Sequence, residues 1–333
     1  MHITDAHFAH LLQQEGGRLS KGRINPVEDL RILPFWIVAD VLYGELSVEM
    51  KSKLEGLIGV REVLFGHVIQ GGLARFAISK YFPTKTNKEL RDFKRRWAEF
   101  NELALAGCKK EDALGVQMYD AMKRGSLSRE HMLQTLDEML FANLDVTIGG
   151  ISWNLLFLAE NEKFQGEVRE EIKLARQRNW VEYLASSSTL LSAGILESAR
   201  LKPLAPFSVP QSAPTDRIVG GFLVPAGTNF IVDSYALNVR RSFWGDDKEQ
   251  YRPWRFMGKK ASEIRYQYWR FGFGPRQCLG KRTADLILRI LLAHLIENYR
   301  LGLDEKSRWD KNPTTWITHP NTDIMCKQIA SVG

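Results

Sequence analysis

The run FGFGPRQCLG, residues 271–280, places one cysteine after two glycines, a proline and an arginine, with Gly280 and a helical pattern behind it. These residue types suit a stiff loop that presents a thiolate. Glycine lets the backbone turn beneath the sulfur. Arg276 adds positive charge, and the start of the next helix aims N–H dipoles at the sulfur; both favour the ionised thiol. The alternative is a structural cysteine in a glycine-rich turn, which is the reading for Cys108 and Cys326.

A second stretch, FANLDVTIGG (141–150), sets Asn143, Asp145, Thr147 and two glycines in an apolar, helical-looking context. Each glycine costs about 1 kcal/mol against alanine in a helix interior. At helical spacing Ala142, Val146, Gly149 and Gly150 share a small apolar face. Asn143 and Thr147 share another and could hydrogen-bond each other. The plainer alternative for Asp145 and Thr147 is a solvated or back-bonded polar pair.

The elements that must position these residues are mostly helices. Residues 27–44 read as a buried helix after Pro26, stopped by Gly44, and 48–80 as a less regular helical stretch broken by Pro83. From Asn87, Leu90, Phe93, Trp97 and Phe100 recur at helical spacing opposite Lys and Arg. A short helix over 111–124 follows, and Ser128 begins a long one to about Ala159. Further helices cover 161–178 and 190–201, with Pro203 and Pro206 behind the second. Residues 209–238 read as short strands and a hairpin. An irregular aromatic stretch then leads to a last helix over 279–298. The fold class expected is mainly α with a small β region, in a single domain over 1–333.

The 333 residues are 44% hydrophobic and 26% charged, an ordinary globular balance, and no linker or repeat divides them. The net charge of +7 comes without a Lys/Arg run or a nucleic-acid-binding spacing, so no nucleic acid is expected and a basic face for an acidic protein partner accounts for the charge as well. Three scattered cysteines make no disulfide framework and suit a reducing, intracellular compartment. The first residues resemble neither a signal peptide nor an anchor. ILPFWIVADVLYG is too short to span a bilayer and contains Asp40, so no transmembrane segment is expected.

The pattern F-x-x-G-x-R-x-C-x-G is matched at Phe271, Gly274, Arg276, Cys278 and Gly280, with Ala284 fitting its extension. This resembles the haem-binding loop of the cytochrome P450 family, in which the cysteine thiolate is the axial ligand of haem iron. Two further matches fall in the expected order. ESAR supplies Glu197 and Arg200 of an E-x-x-R pair, and YRPWRF supplies Pro253, Arg255 and Phe256, with Tyr251 where Phe is usual. The resemblance implies a Glu197–Arg200–Arg255 network that braces the haem loop and serves folding and haem retention. FANLDVTIGG is similar to the family's oxygen-binding helix. Ala142 fits, Asn143 replaces a glycine, Asp145 is the acid, and Val146 stands at the usual threonine with Thr147 one residue on. Neighbours on a helix point about 100° apart, so Thr147 does not simply replace that hydroxyl.

The resemblance covers the later part of the family's pattern. The early strands have no counterpart, and none of the nine tryptophans has arginine four residues on, as the family's W-x-x-x-R helix requires. Gln211 stands where a propionate-binding arginine is common, leaving Arg276 as the propionate partner. The fold implied is P450-like without its N-terminal portion.

The function implied is that of a haem-thiolate monooxygenase. Cys278 would hold the iron, NADPH electrons would arrive through a flavin reductase, and O₂ would oxidise a small lipophilic substrate. Asp145, Thr147 and Asn143 are then the candidates for proton handling. Phe271, Gly274, Arg276, Gly280, Ala142 and Val146 would line the haem. Leu204, Ala205 and Phe207 would meet substrate, and Lys281, Arg282 and Arg270 would form a basic docking face. A monomer is expected, and the family implies association with the endoplasmic reticulum although no anchor is seen. The runs ANLDVT and ARLKPLAPFSVPQSAPTDR are similar to those of fungal enzymes that tailor nonribosomal-peptide metabolites, notably epipolythiodioxopiperazine toxins. The alternative is a truncated, non-catalytic remnant unable to retain haem.

Overall fold

The structure, a computed structural model, describes Leu19 and residues 22–72, 76–311 and 317–329; at Asn143 it describes the backbone alone. In chain order the elements are β1 (Arg23–Ile24), α1 (Pro26–Leu30), α2 (Ile32–Tyr43), α3 (Val48–Gln70), α4 (Lys85–Ala106), α5 (Leu114–Lys123), α6 (Arg129–Phe141), α7 (Asn143–Glu160), α8 (Glu162–Gln177), α9 (Trp180–Ala185), α10 (Leu190–Leu201), β2 (Arg217–Val219), β3 (Phe222–Val224), α11 (Ala261–Ile264), α12 (Lys281–Asn298), β4 (Tyr299–Gly302) and β5 (Ile324–Gln328). The protein is mainly helical with small antiparallel sheets, as the sequence predicts.

The chain divides into two compact units, residues 32–144 and residues 1–31 with 145–333. The described elements of the first are all helices. Thr84 and Ser128 cap α4 and α6 by accepting from the N–H of Asn87 and His131, each at 3.2 Å. Phe93, Trp97 and Phe100 of α4 are buried at the predicted spacing, whereas Leu90 is 38% exposed. Phe141 at the end of α6 meets Phe35, Phe93 and Trp97 at ring separations of 5.7, 6.0 and 5.4 Å. Arg61 closes this core with a two-point contact to Asp137, at 2.8 and 3.0 Å. The helix expected to run unbroken from Ser128 to Ala159 is two, with a turn at Ala142 between α6 and α7. By length and composition Arg129–Glu160 could cross a membrane, but 76% of its apolar window is buried.

The second unit holds α7–α12 and both sheets. β1 and β4 flank β5 in antiparallel register, Arg23 opposite Met325 and Leu301 opposite Cys326. The sequence reading misses these strands: two to five residues carry too little alternation to register. The predicted hairpin is present as β2–β3, with Arg217 opposite Val224 and Val219 opposite Phe222. Residues 206–211 also run antiparallel to 230–234, joined by Ser208 N–H to Val232 O at 2.9 Å and the reciprocal Gln211–Phe230 bonds at 3.0 and 2.8 Å.

Candidate functional site: a cysteine loop and the helix beside it

The cysteine loop has the build its sequence predicts. Gly272 and Gly274 sit at φ +75° and +66°, a region that other residues avoid. The turn lets the Cys278 N–H reach back to Phe271 O at 2.8 Å, while Gln277 spans the loop from its side chain to Gly272 O at 3.0 Å. Cys278 is exposed and free, and Leu279 beside it is 84% exposed. Gly280 caps α12, and its carbonyl accepts from Ala284 N–H at 2.8 Å.

A buried ionic network stands next to this loop. Glu197 and Arg200, both 0% exposed, pair through two bonds at 2.8 and 2.9 Å. Arg255 adds its Nε to Glu197 Oε1 at 2.8 Å and spends its remaining nitrogens on Trp244 O and Asp247. Every charge therefore has hydrogen-bond partners, the condition under which burying charges is tolerable. The connection to the loop runs through Asn238, which no motif marks. Arg200 donates to Asn238 O at 3.0 Å, and the Asn238 amide both donates to and accepts from the Trp269 backbone at 2.7 Å. Trp269 lies two residues before Phe271. A second tie comes from Arg270, which pairs with Asp285 of α12 at 2.7 Å; Asp285 also holds Arg289 at 2.9 Å.

Two members of the expected basic docking face have partners within the chain. Arg270 is consumed by Asp285, and Lys281 donates to Gln277 at 2.7 Å, so both fix the loop to its helix. Arg282 and Arg276 remain exposed.

The first turns of α7 carry the second candidate set. Asp145 is gripped by Arg31 through Nε at 3.1 Å and Nη2 at 2.8 Å onto one carboxylate oxygen. Val146 is 38% exposed although apolar, while Thr147 beside it is buried. The glycines depart from the expected haem-facing surface. A Cβ on Gly149 would lie 2.9 Å from His319 Cδ2 and 3.1 Å from Leu204, and one on Gly150 would meet Leu288 at 3.6 Å and Leu204 at 3.8 Å. Gly149 thus exists for a close approach by His319, and Gly150 sits where α12 and the 203–205 run meet α7. Leu204 is packed into helix contacts, Ala205 O accepts from Ser234 Oγ at 2.6 Å, and Phe207 is exposed. Ala142 is exposed at the end of α6, and the Asn143 side chain lies outside the described residues.

Sequence reasoning missed the segment that clasps α7. Thr318 donates its N–H to Leu204 O at 3.0 Å and its hydroxyl to Pro203 O at 2.8 Å, and its carbonyl accepts from Trp153 Nε1 at 2.7 Å. His319 Nε2 lies 2.8 Å from Asp145 O. Asp145, Gly149 and Trp153 are spaced by four, so one face of α7 meets this segment.

The cytochrome P450 family model matches residues 6–327, and the chain belongs to that family. It is 53% identical over 98% of its length to cytochrome P450 monooxygenase aclC of Aspergillus oryzae, of which it covers 68%. It is 48% identical to monooxygenase asaD of Aspergillus flavus, covering 96% of this chain and 63% of that one. With monooxygenase gliC of Aspergillus fumigatus the identity is 40%, over 91% and 61%. The chain thus spans about two thirds of the length of these relatives.

The family binds haem through a cysteine thiolate. The residues present fit that group: a free, exposed thiol on a braced loop, and a partly exposed apolar side chain, Val146, one turn before the packed Gly150.

Proposed function

We propose that this chain acts as a haem-thiolate monooxygenase on a small lipophilic metabolite. The observation that carries the reading is the exposed Cys278 on a loop tied down by Asn238, Gln277 and Asp285. Haem would supply the redox chemistry that activates O₂ once electrons arrive from an NADPH-dependent flavin reductase. The chain's own residues do the rest. Cys278 holds the iron, and Phe271, Gly274 and Gly280 shape the backbone around its sulfur. Arg276, exposed beside the loop, is the propionate partner. Val146 and Ala142 offer small apolar surface, and Phe207, exposed, meets substrate. Asp145 is the proton-handling carboxylate, with Arg31 controlling where it points; Thr147 and Asn143 are its helpers.

We assign the substrate to nonribosomal-peptide metabolites of the epipolythiodioxopiperazine type, on the similarity of ANLDVT and ARLKPLAPFSVPQSAPTDR to fungal tailoring enzymes. The chain would act as a monomer, in association with the endoplasmic reticulum. Absence of a hydroxyl at Val146 suits chemistry that leans less on a proton relay, such as radical coupling, ring formation or dehydrogenation.

The test is spectroscopic. The purified chain, reduced under CO, is expected to show the thiolate-type Soret shift, and Cys278→Ser is expected to lose it. No shift with Cys278 intact sinks the proposal and leaves a non-catalytic remnant.

A further inference from the structure

We propose that His319 is a positioning residue for the haem-side turns of α7, a role that rests on the function proposed above. A carbonyl oxygen only accepts, so the 2.8 Å contact to Asp145 O requires the proton on His319 Nε2. That carbonyl is also the one to which helical geometry assigns the Gly149 N–H. Its two lone pairs allow both donors. His319 thereby fixes the peptide group between Asp145 and Val146, the residues that carry the candidate acid and the partly exposed apolar side chain.

Three features show that the contact is built in. His319 is 3% exposed, so its N–H has no water to fall back on. Position 149 is glycine, and any Cβ there would press on the imidazole at 2.9 Å. The preceding residue, Thr318, is tied by three hydrogen bonds to Leu204, Pro203 and Trp153, so the imidazole is delivered from a fixed backbone. The Asp145 side chain itself is paired with Arg31. In consequence, the direction of the Asp145–Val146 peptide, and with it the side chains on either side, depends on a residue 174 positions away.

The test uses His319→Gln, whose amide N–H₂ can reach as Nε2 does, His319→Phe, which cannot donate, and Gly149→Ala, which displaces the ring. Labelling aspartate with ¹³C at the carbonyl and valine with ¹⁵N gives two linked resonances, Asp40–Val41 and Asp145–Val146. They are read in the full chain, reduced under CO. The Asp145 carbonyl resonance is expected to move upfield in His319→Phe and Gly149→Ala and to return in His319→Gln. An unmoved Asp40–Val41 signal reports that the 32–144 unit is undisturbed, and an unchanged far-UV CD spectrum reports an intact helical fold elsewhere. The ferric high-spin to low-spin ratio is expected to change about fivefold in His319→Phe and Gly149→Ala, the equivalent of one hydrogen bond, and to recover in His319→Gln. An Asp145 resonance that ignores His319→Phe overturns the contact. A moved resonance with an unchanged spin ratio overturns the positioning role. Wild-type chain that takes up no haem fails the functional reading and the role with it, while the resonance still reports the contact.

Discussion

Arg31 places two guanidinium nitrogens on a single carboxylate oxygen of Asp145, 114 residues away, so the acid at the start of α7 is paired. Both side chains are more than a third exposed. A pair of this kind contributes about 1 kcal/mol or less to stability. Arg31→Gln is therefore expected to leave the thermal midpoint nearly unchanged while altering turnover and peroxide release in the reconstituted enzyme. A large loss of stability with unchanged turnover would make the pair a structural clamp.

The network behind the cysteine loop is expected to respond in the opposite way. Glu197→Gln or Arg200→Met leaves an uncompensated buried charge, at a cost of about 3–5 kcal/mol. Denaturant titration should show the loss together with low haem content. A shift under about 1 kcal/mol would mean the network is dispensable.

Asn238 carries the brace to the loop through two side-chain bonds to Trp269. Asn238→Ala is expected to cost about 1–3 kcal/mol and to speed transfer of haem to apomyoglobin. Asn238→Asp keeps the acceptor but loses the donor and should fall between. Equal transfer rates in all three would place the brace elsewhere.

The cysteines should separate by reactivity. Cys278 is exposed, whereas burial pushes the Cys326 thiol up to about 12. Iodoacetamide at pH 8 is expected to modify Cys278 first and Cys326 last, with haem protecting Cys278. The same burial has a thermodynamic sign. Cys326 is raised from 9.0, and Tyr43 and Tyr251 are pushed well above 10.0 by loss of water around them. Unfolding lets all three ionise, so the unfolded chain binds fewer protons above pH 9. Stability is therefore expected to fall as pH rises from 9 toward 12, and Cys326→Ala should flatten the first part of that fall.

Val146→Thr supplies the hydroxyl that the family's oxygen-binding helix ordinarily carries. The product profile or the peroxide released per NADPH is expected to change. If neither changes, the absence of that hydroxyl has no bearing on the chemistry.

The cysteine loop was legible in the sequence because its physics is local: glycines, a cation and a helix start lie within ten residues. Glu197 and Arg200 were legible for the same reason, being one helical turn apart. Asn238, Thr318 and His319 were hidden, since each acts through backbone atoms of distant segments and leaves no periodic trace. For Arg270 and Lys281 the sequence shows the charges but not their partners, Asp285 and Gln277. The glycines of α7 were noticed, but what fills the space beside them could come only from the fold.

The close approach at Gly149 also couples two distant codons. A side chain at 149 requires the imidazole of 319 to shift, and a smaller residue at 319 leaves space beside position 149. Paired randomisation of 149 and 319 therefore reaches side-chain combinations of this helix that libraries varying either position alone miss.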